Sequence, residues 1–321
     1  MDALFPYMLL IVGFFALIKG ADFFVEGSAS IAKKLHIPDI VVGLTIVAFG
    51  TSAPELAISV SAAIAGSSAL SMGNVVGSNL FNVLIILGLS AAIKPLAVDR
   101  SILRRDLPIC ILSAVLLPVM ALIGKNSMGV IAGVVLLALF VGYLIITIRA
   151  ALVYRKEQDA QLASGEAVLE QDTSTWMHSI LFTLGGIVLI VCGAEASVQA
   201  ATAIATAWGI SESVIGLTVV AVGTSLPELV TSIVAARKGN NEIALGNVVG
   251  SNIFNILLIL GLSITICPIS VDTATFIDQL FLIGVTIFLA ITAFTGRRIS
   301  RGEGLSFLAI YVGYTAYLFI R

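Results

Sequence analysis

The segment MGNVVGSNLFNVLIILGLS at 72–90 returns at 245–263 as LGNVVGSNIFNILLILGLS. Aligned without gaps at an offset of 173, positions 37–99 and 210–272 are identical at 36 of 63 places. The likeness reaches upstream, where Gly20-Ala21-Asp22 aligns with Gly193-Ala194-Glu195. This is an internal duplication. What it imposes on the fold depends on how many times the chain crosses a membrane between the two copies.

Hydropathy supplies that number. Of 321 residues, 59% are hydrophobic and 11% charged, against roughly 25% charged in soluble domains. Apolar stretches of about 20 residues, enough to cross a bilayer as a helix, occur ten times: 4–31, 38–65, 70–93, 107–124, 127–152, 176–205, 212–236, 242–268, 276–295 and 304–320. Alternating strands of about ten residues, the barrel pattern, are absent from the sequence. The expected fold is therefore an all-α polytopic membrane protein. The first span has no basic start and continues through Lys19, Asp22 and Glu26, unlike a cleavable signal. Equivalent spans are five apart, an odd number, so matching segments cross in opposite directions. Two inverted five-helix repeats result, 1–152 and 176–321, joined by the charged linker 153–175.

Lysines and arginines set the expected orientation. The odd-numbered loops hold Lys33, Lys34, Lys94, Arg100, Arg104, Arg105, Arg149, Arg155, Lys156, Arg237, Lys238, Arg297, Arg298 and Arg301. The other side holds only Lys125 and Arg321. Both termini are expected outside and the linker in the cytoplasm. The expected location is the plasma (inner) membrane, with the lipid bilayer as the partner. A net charge of -2 gives no reason to expect nucleic acid, and no protein partner is evident. Cys110, Cys192 and Cys267 fall in or at the ends of spans and read as packing residues.

Within the duplication, GTSAPEL at 50–56 and GTSLPEL at 223–229 place a proline and a carboxylate inside an apolar run. As one straight helix, 38–65 would be about 42 Å long, against a hydrocarbon core of about 30 Å. Gly50 and Pro54, and their counterparts Gly223 and Pro227, therefore mark an expected helix break. Pro54 removes a main-chain donor, which frees carbonyls around Ala48 to Gly50. Irregular backbone at this depth survives where it lines a cavity or is buried in protein. Inverted repeats of this kind hold substrates near the midplane on interrupted helices.

Side chains add ligands. After the break, Thr51, Ser52, Glu55 and Ser59 share one helix face, and in the next helix Asn74, Ser78 and Asn82 share another. Glu55 and Asn82 lie about equally far from the intervening hairpin, so they can meet at one depth. The second copy repeats this with Thr224, Ser225, Glu228, Ser232, Asn247, Ser251 and Asn255. Two carboxylates with amide, hydroxyl and backbone oxygens suit a hard cation such as Ca2+, whereas softer metals prefer nitrogen and sulfur. A carboxylate at a membrane helix centre costs roughly 2.5–3.5 kcal/mol unless a cation or proton compensates. Ser59, Ser232, Asn74 and Asn247 also admit a packing role, because small polar residues in membrane helices bond neighbouring carbonyls. Lys19 and Asp22 stand three apart and can pair with each other.

The paired GTSAPEL/GTSLPEL and GNVVGSNLFN/GNVVGSNIFN segments resemble the two alpha-repeats, here 43–90 and 216–263, of the sodium/calcium exchanger family within the cation/Ca2+ antiporter superfamily. The resemblance implies a secondary active transporter, not an enzyme, that exchanges Ca2+ for Na+ by alternating access. It implies cation ligands at Thr51, Ser52, Glu55, Ser78 and Asn82, and at Thr224, Ser225, Glu228, Ser251 and Asn255. Glu55 and Glu228 would be the acidic metal ligands, and Ala48 and Ala221 would lend backbone carbonyls. It further implies that the first and sixth helices slide across the core, and that nothing but the transported Ca2+ and Na+ is needed as cofactor. Some relatives carry aspartate where this chain has Asn82 or Asn255. The proton-coupled branch usually has GNxxE in place of GTSxPE, so the chain looks sodium-type. The linker is too short for the Ca2+-sensing insert of some relatives, and its Glu157, Asp159, Glu166, Glu170 and Asp172 read as solvated.

Three rivals remain in view at this point. A Ca2+/H+ antiporter would use the same glutamates, because a buried carboxyl can carry a proton. A cation channel would use them as a filter, although no pore-lining ring is visible. An intramembrane hydrolase would need a base beside Ser52 or Ser225, and the two histidines, His36 and His178, lie at predicted helix ends.

Overall fold

Apolar runs of this length form helices because the bilayer core offers the main chain no other hydrogen-bond partner. The computed structural model describes residues 4–164, 174–209 and 221–320. It opens with α1, Phe5–Leu35, followed by α2, Asp39–Thr51, and α3, Ala53–Ile64. Then come α4, Leu70–Ile93, α5, Ile102–Ile123, and α6, Val130–Ala163. The second half holds α7, Trp176–Ala207, the short turn α8, Ala221–Thr224, and α9, Leu226–Lys238. It closes with α10, Asn241–Ile266, α11, Thr273–Phe294, and α12, Arg301–Ile320.

Among the described residues, α1, α4, α5, α6, α7, α10 and α11 are each long and apolar enough to cross a membrane. The pair α2 and α3 makes a further span, bent by 50° at the break. The expected span 304–320 falls within α12, which is a helix but is not among these spans. Of the expected span 212–236, residues 212–220 lie outside the described residues, as do Glu166, Glu170 and Asp172 of the linker. Large apolar side chains face outward, such as Ile131 at 83% exposed, which is the pattern for a surface bathed in lipid.

Two features amend the sequence reading. First, α6 runs on to Ala163, into the segment 153–175 that the sequence marks as a linker. The extension is polar but helix-favouring, and Arg155 and Asp159 pair one turn apart at 3.7 Å. Asp159 also meets His36 Nδ1 at 2.6 Å while remaining exposed. Second, the all-α expectation is broken, among the described residues, by four two-residue strands. β1, Leu96–Ala97, pairs antiparallel with β4, Arg298–Ile299, and β2, Ser127–Met128, pairs with β3, Ile269–Ser270. Each ladder joins one half of the chain to the other.

Helix packing crosses between the halves in the same way. A Cβ on Gly304 of α12 would stand 2.7 Å from the Gly88 carbonyl of α4. A Cβ on Gly133 of α6 would stand 2.7 Å from the Gly261 carbonyl of α10. The last helix of each half thus rests on a core helix of the other. Outside this core, α1 and α7 pack on each other through glycines spaced by seven. Gly13 meets Gly193 and Ser197, Gly20 meets Gly186 and Ile190, and Gly27 meets Thr183 and Ser179. The order of contacts makes the two helices antiparallel. Small residues serve here because membrane helices associate by close van der Waals contact, with no hydrophobic force between them.

Candidate cation site

Both repeats break their helix at the same serine. Ser52 has φ −82° and ψ 7°, and Ser225 has φ −90° and ψ 6°. Pro54 and Pro227 sit in the first turn of the following helix, where a missing N–H costs no helical bond. Gly50 lies inside the turn before the break, not at it. Its missing side chain admits Phe24 of α1 and Ile187 of α7 to 3.1 Å from where a Cβ would stand. Gly223 likewise faces Val198 of α7. These glycines answer to the close passage of α1 and α7.

The carbonyls near the break are less free than the sequence suggested. Ala48 O accepts from Ser52 N at 3.1 Å, and the Thr51 hydroxyl oxygen lies 3.4 Å from it. The break falls one residue too late to release it, leaving its second lone pair as the only capacity for a ligand. Gly50 O is the group that loses its helical donor, because Pro54 has no N–H. Ala221 opens the matching turn α8.

Around the two breaks the repeats exchange side chains. Ser52 Oγ donates to Glu228 Oε1 at 2.8 Å, and Ser225 Oγ donates to Glu55 Oε1 at 2.9 Å. Ser78 Oγ lies 3.5 Å from Glu55 Oε1 and 3.2 Å from Ser225 Oγ. Thr51 Oγ1 donates to Asn247 Oδ1 at 3.0 Å. Glu55 and Glu228 are 1% and 0% exposed, and Thr51, Ser52, Ser78, Asn82, Thr224, Ser225, Ser251 and Asn255 are all buried with them. Among the described residues, no lysine, arginine or histidine pairs with either glutamate.

What is left over defines the chemistry. Glu55 Oε2, Glu228 Oε2, Asn82 Oδ1, Asn255 Oδ1 and Ser251 Oγ are buried and find no hydrogen-bond partner among the described residues. Five orphaned oxygens, two of them from the carboxylates themselves, would be costly in a dry interior, and a hard cation is a partner suited to all of them. Among the described residues there is no group of three or more His, Cys, Asp or Glu side chains placed to hold a metal. The cage therefore depends on neutral oxygens around only two acids.

Four expected candidates take a bracing role instead. Asn74 Nδ2 donates to Ser59 Oγ at 2.8 Å and to Glu55 O at 3.3 Å. Asn247 Nδ2 donates to Ser232 Oγ at 3.0 Å and to Glu228 O at 3.5 Å. Each asparagine ties the glutamate-bearing helix to the next one. Conversely, the sequence does not single out Asn252 and Asn79, which the structure places directly behind Asn82 and Asn255 respectively. The repeated spacing NxxN in both copies was the available signal. Both Asn82 and Asn255 open a π turn, Asn82–Leu87 and Asn255–Leu260, a local widening often found at functional sites.

A separate cavity of about 460 Å³ is lined by Asp39, Asp99, Arg105, Tyr154 and Glu242, and by none of the cage residues. Partial burial alone would raise the Asp99 carboxyl, but hydrogen bonds from Ser101 and Arg100 and the nearby Arg105 hold it below its ordinary value.

The chain as a whole is similar to known proteins of one family. The model of the family described as sodium/calcium exchanger protein matches residues 5–149 and 178–320. The chain is 37% identical over 316 residues to the putative antiporter CaxA of Alkalimonas amylolytica, covering 97% of this chain and 98% of the relative. It is 36% identical to the sodium/calcium exchanger MaX1 of Methanosarcina acetivorans, covering 98% of both chains. Among solved structures it is similar to the sodium-calcium exchanger NCX_Mj soaked with zero Na+ and Ca2+. That match has a TM-score of 0.85 and 32% identity, and it covers 99% of this chain and 100% of the other.

Proposed function

The chain belongs to the sodium/calcium exchanger family of cation/Ca2+ antiporters, and from that premise we propose that it exports Ca2+ in exchange for Na+ by alternating access at the Glu55/Glu228 cage. One observation carries the assignment: among the described residues two buried carboxylates have no cationic neighbour, and each keeps one oxygen without a partner, as do the buried Asn82, Asn255 and Ser251. The two acids supply a charge of −2, which balances one Ca2+ or, with the neutral oxygens, several Na+ in turn. Thr51, Ser52, Ser78, Asn82, Thr224, Ser225, Ser251 and Asn255 complete the cage, with Ala48 and Ala221 as main-chain contributors.

We read the fold as ten spans in two inverted five-helix repeats. Support comes from the antiparallel α1 and α7, from the paired strands, and from side-chain bonds that recur after exchange of the repeats. The basic loops place both termini outside in this reading. The two coverings of the cage also differ. Pro227 and Thr231 on α9 are buried, whereas the equivalent Pro54 and Ile58 on α3 are only half-buried. We take the side covered by α9 to be the cytoplasmic one and this state to be sealed toward it.

The test is Ca2+ uptake by proteoliposomes of the purified protein, driven either by an outward Na+ gradient or by a pH gradient alone. Uptake on the Na+ gradient supports the proposal. Uptake on the pH gradient alone moves the protein to Ca2+/H+ antiport, and uptake without any counter-gradient dependence moves it to a channel.

A further inference from the structure

Asn79 and Asn252 are equivalent positions in the two repeats, both essentially buried. Asn79 Nδ2 donates to Asn252 O at 3.3 Å, and Asn252 Nδ2 donates to Asn79 O at 3.3 Å. A main-chain carbonyl can only accept. Each of these amides must therefore turn its NH2 toward the other's backbone, which fixes where its own oxygen points. That oxygen also only accepts. Asn255 presents its NH2 to Asn79 Oδ1 at 3.0 Å, and Asn82 presents its NH2 to Asn252 Oδ1 at 3.0 Å.

The consequence falls on the cage. With their NH2 groups held by Asn79 and Asn252, Asn255 and Asn82 can offer only Oδ1 on the other side, and both oxygens are buried without a partner. An asparagine has two ends of nearly equal shape and opposite electrostatics. If either amide turned over, an NH2 would face the cation and an oxygen would face an oxygen. We propose that Asn79 and Asn252 are positioning residues that set which end of Asn255 and Asn82 faces the ion. This inference rests on the cation-cage reading given above. It explains how a site with asparagine at both positions presents oxygen from each, through a relay anchored on main-chain carbonyls in the opposite repeat.

The control is aspartate at the position being aimed, because a carboxylate has oxygen at both ends and no orientation to set. Half-saturating Ca2+ and maximal rate are measured for wild type, Asn79→Ala, Asn255→Asp and the double variant. Asn79→Ala should raise half-saturating Ca2+ by about tenfold, the scale of one misplaced buried polar group. In the Asn255→Asp background the same alanine should change it by less than about twofold, or lower it by removing an oxygen that opposes the carboxylate. An equal rise in both backgrounds would show a merely structural role and overturn the proposal. So would an unchanged wild-type background. Asn252→Ala against Asn82→Asp repeats the test in the other repeat, and failure of both alanine variants to fold also counts against it. If wild-type uptake runs on a pH gradient, the same comparison is made with that driving force. The sodium assignment can then fail while the asparagine relay stands.

Discussion

Ser52 of the first repeat donates its hydroxyl to Glu228 of the second at 2.8 Å, and the reverse bond, Ser225 to Glu55, measures 2.9 Å. Neither repeat can build the site alone. Each glutamate has one oxygen held by the opposite half of the chain and one left for a ligand.

Removing a serine should therefore weaken ion binding at the other repeat's acid. A hydrogen bond to a charged group contributes about 1.5–3 kcal/mol. Ser52→Ala or Ser225→Ala should raise half-saturating Ca2+ by roughly 10- to 100-fold with the protein still folded. Calcium titration of uptake in each variant checks this, and a change below about twofold would count against the crossed arrangement.

A second contact distinguishes the two sides of the molecule. Lys238 at the end of α9 meets Asp22 of α1 at 3.2 Å and its main-chain carbonyl at 3.0 Å. The equivalent positions in the other repeat are Ala65 and Glu195, so a mirrored state would lack the cation. Lys238→Ala should loosen α1 over α9 and raise hydrogen–deuterium exchange in α9. The pair is partly exposed, so the expected shift in population is only about two- to fivefold. Asp22→Asn, which removes the charge but keeps the main-chain carbonyl that Lys238 also bonds, should cost less protection than Lys238→Ala.

The contact between α1 and α7 leaves no room for even a methyl group at Gly20, where a Cβ would come within 2.8 Å of the Ile190 main-chain nitrogen. Gly20→Ala should destabilise the detergent-solubilised protein by about 1–3 kcal/mol through overpacking. Gly185, exposed and with nothing within 4 Å, is the control, and Gly185→Ala should be neutral or slightly stabilising. Thermal unfolding of the two variants separates them.

Much of this site was legible in the sequence because the chain states it twice. A proline and a glutamate at matched places in two apolar runs have few explanations, and helical spacing gathers Thr51, Ser52, Glu55, Ser78 and Asn82 without any coordinates. Three features were not legible, each for a physical reason. Which residue carries the break depends on which N–H still finds a carbonyl, so Ser52, not Gly50, is the hinge. Strand pairs of two residues have no periodicity to detect. Asn79 looks like a packing residue until the opposite repeat's backbone lies beside it, and hydropathy alone does not bring the halves together.

The driving forces set the ion ratio. Moving Ca2+ out against an assumed ten-thousandfold gradient and 100 mV costs about 10 kcal/mol. Each Na+ entering down an assumed tenfold gradient returns about 3.7 kcal/mol. Two fall short and three suffice. Reversal-potential measurements on reconstituted protein should give three Na+ per Ca2+, and a ratio of two would rule out export under such gradients.

The most direct test of the shared cage is Na+-driven Ca2+ uptake in Glu55→Gln and Glu228→Gln, each reconstituted alone. Glutamine keeps the shape and one oxygen but removes the charge. Each single variant is predicted to lose uptake by at least about 100-fold, since these two carboxylates are the only acids that the described residues bring to the cage. A variant that retains wild-type Na+-driven uptake with either glutamate neutralised would contradict the account.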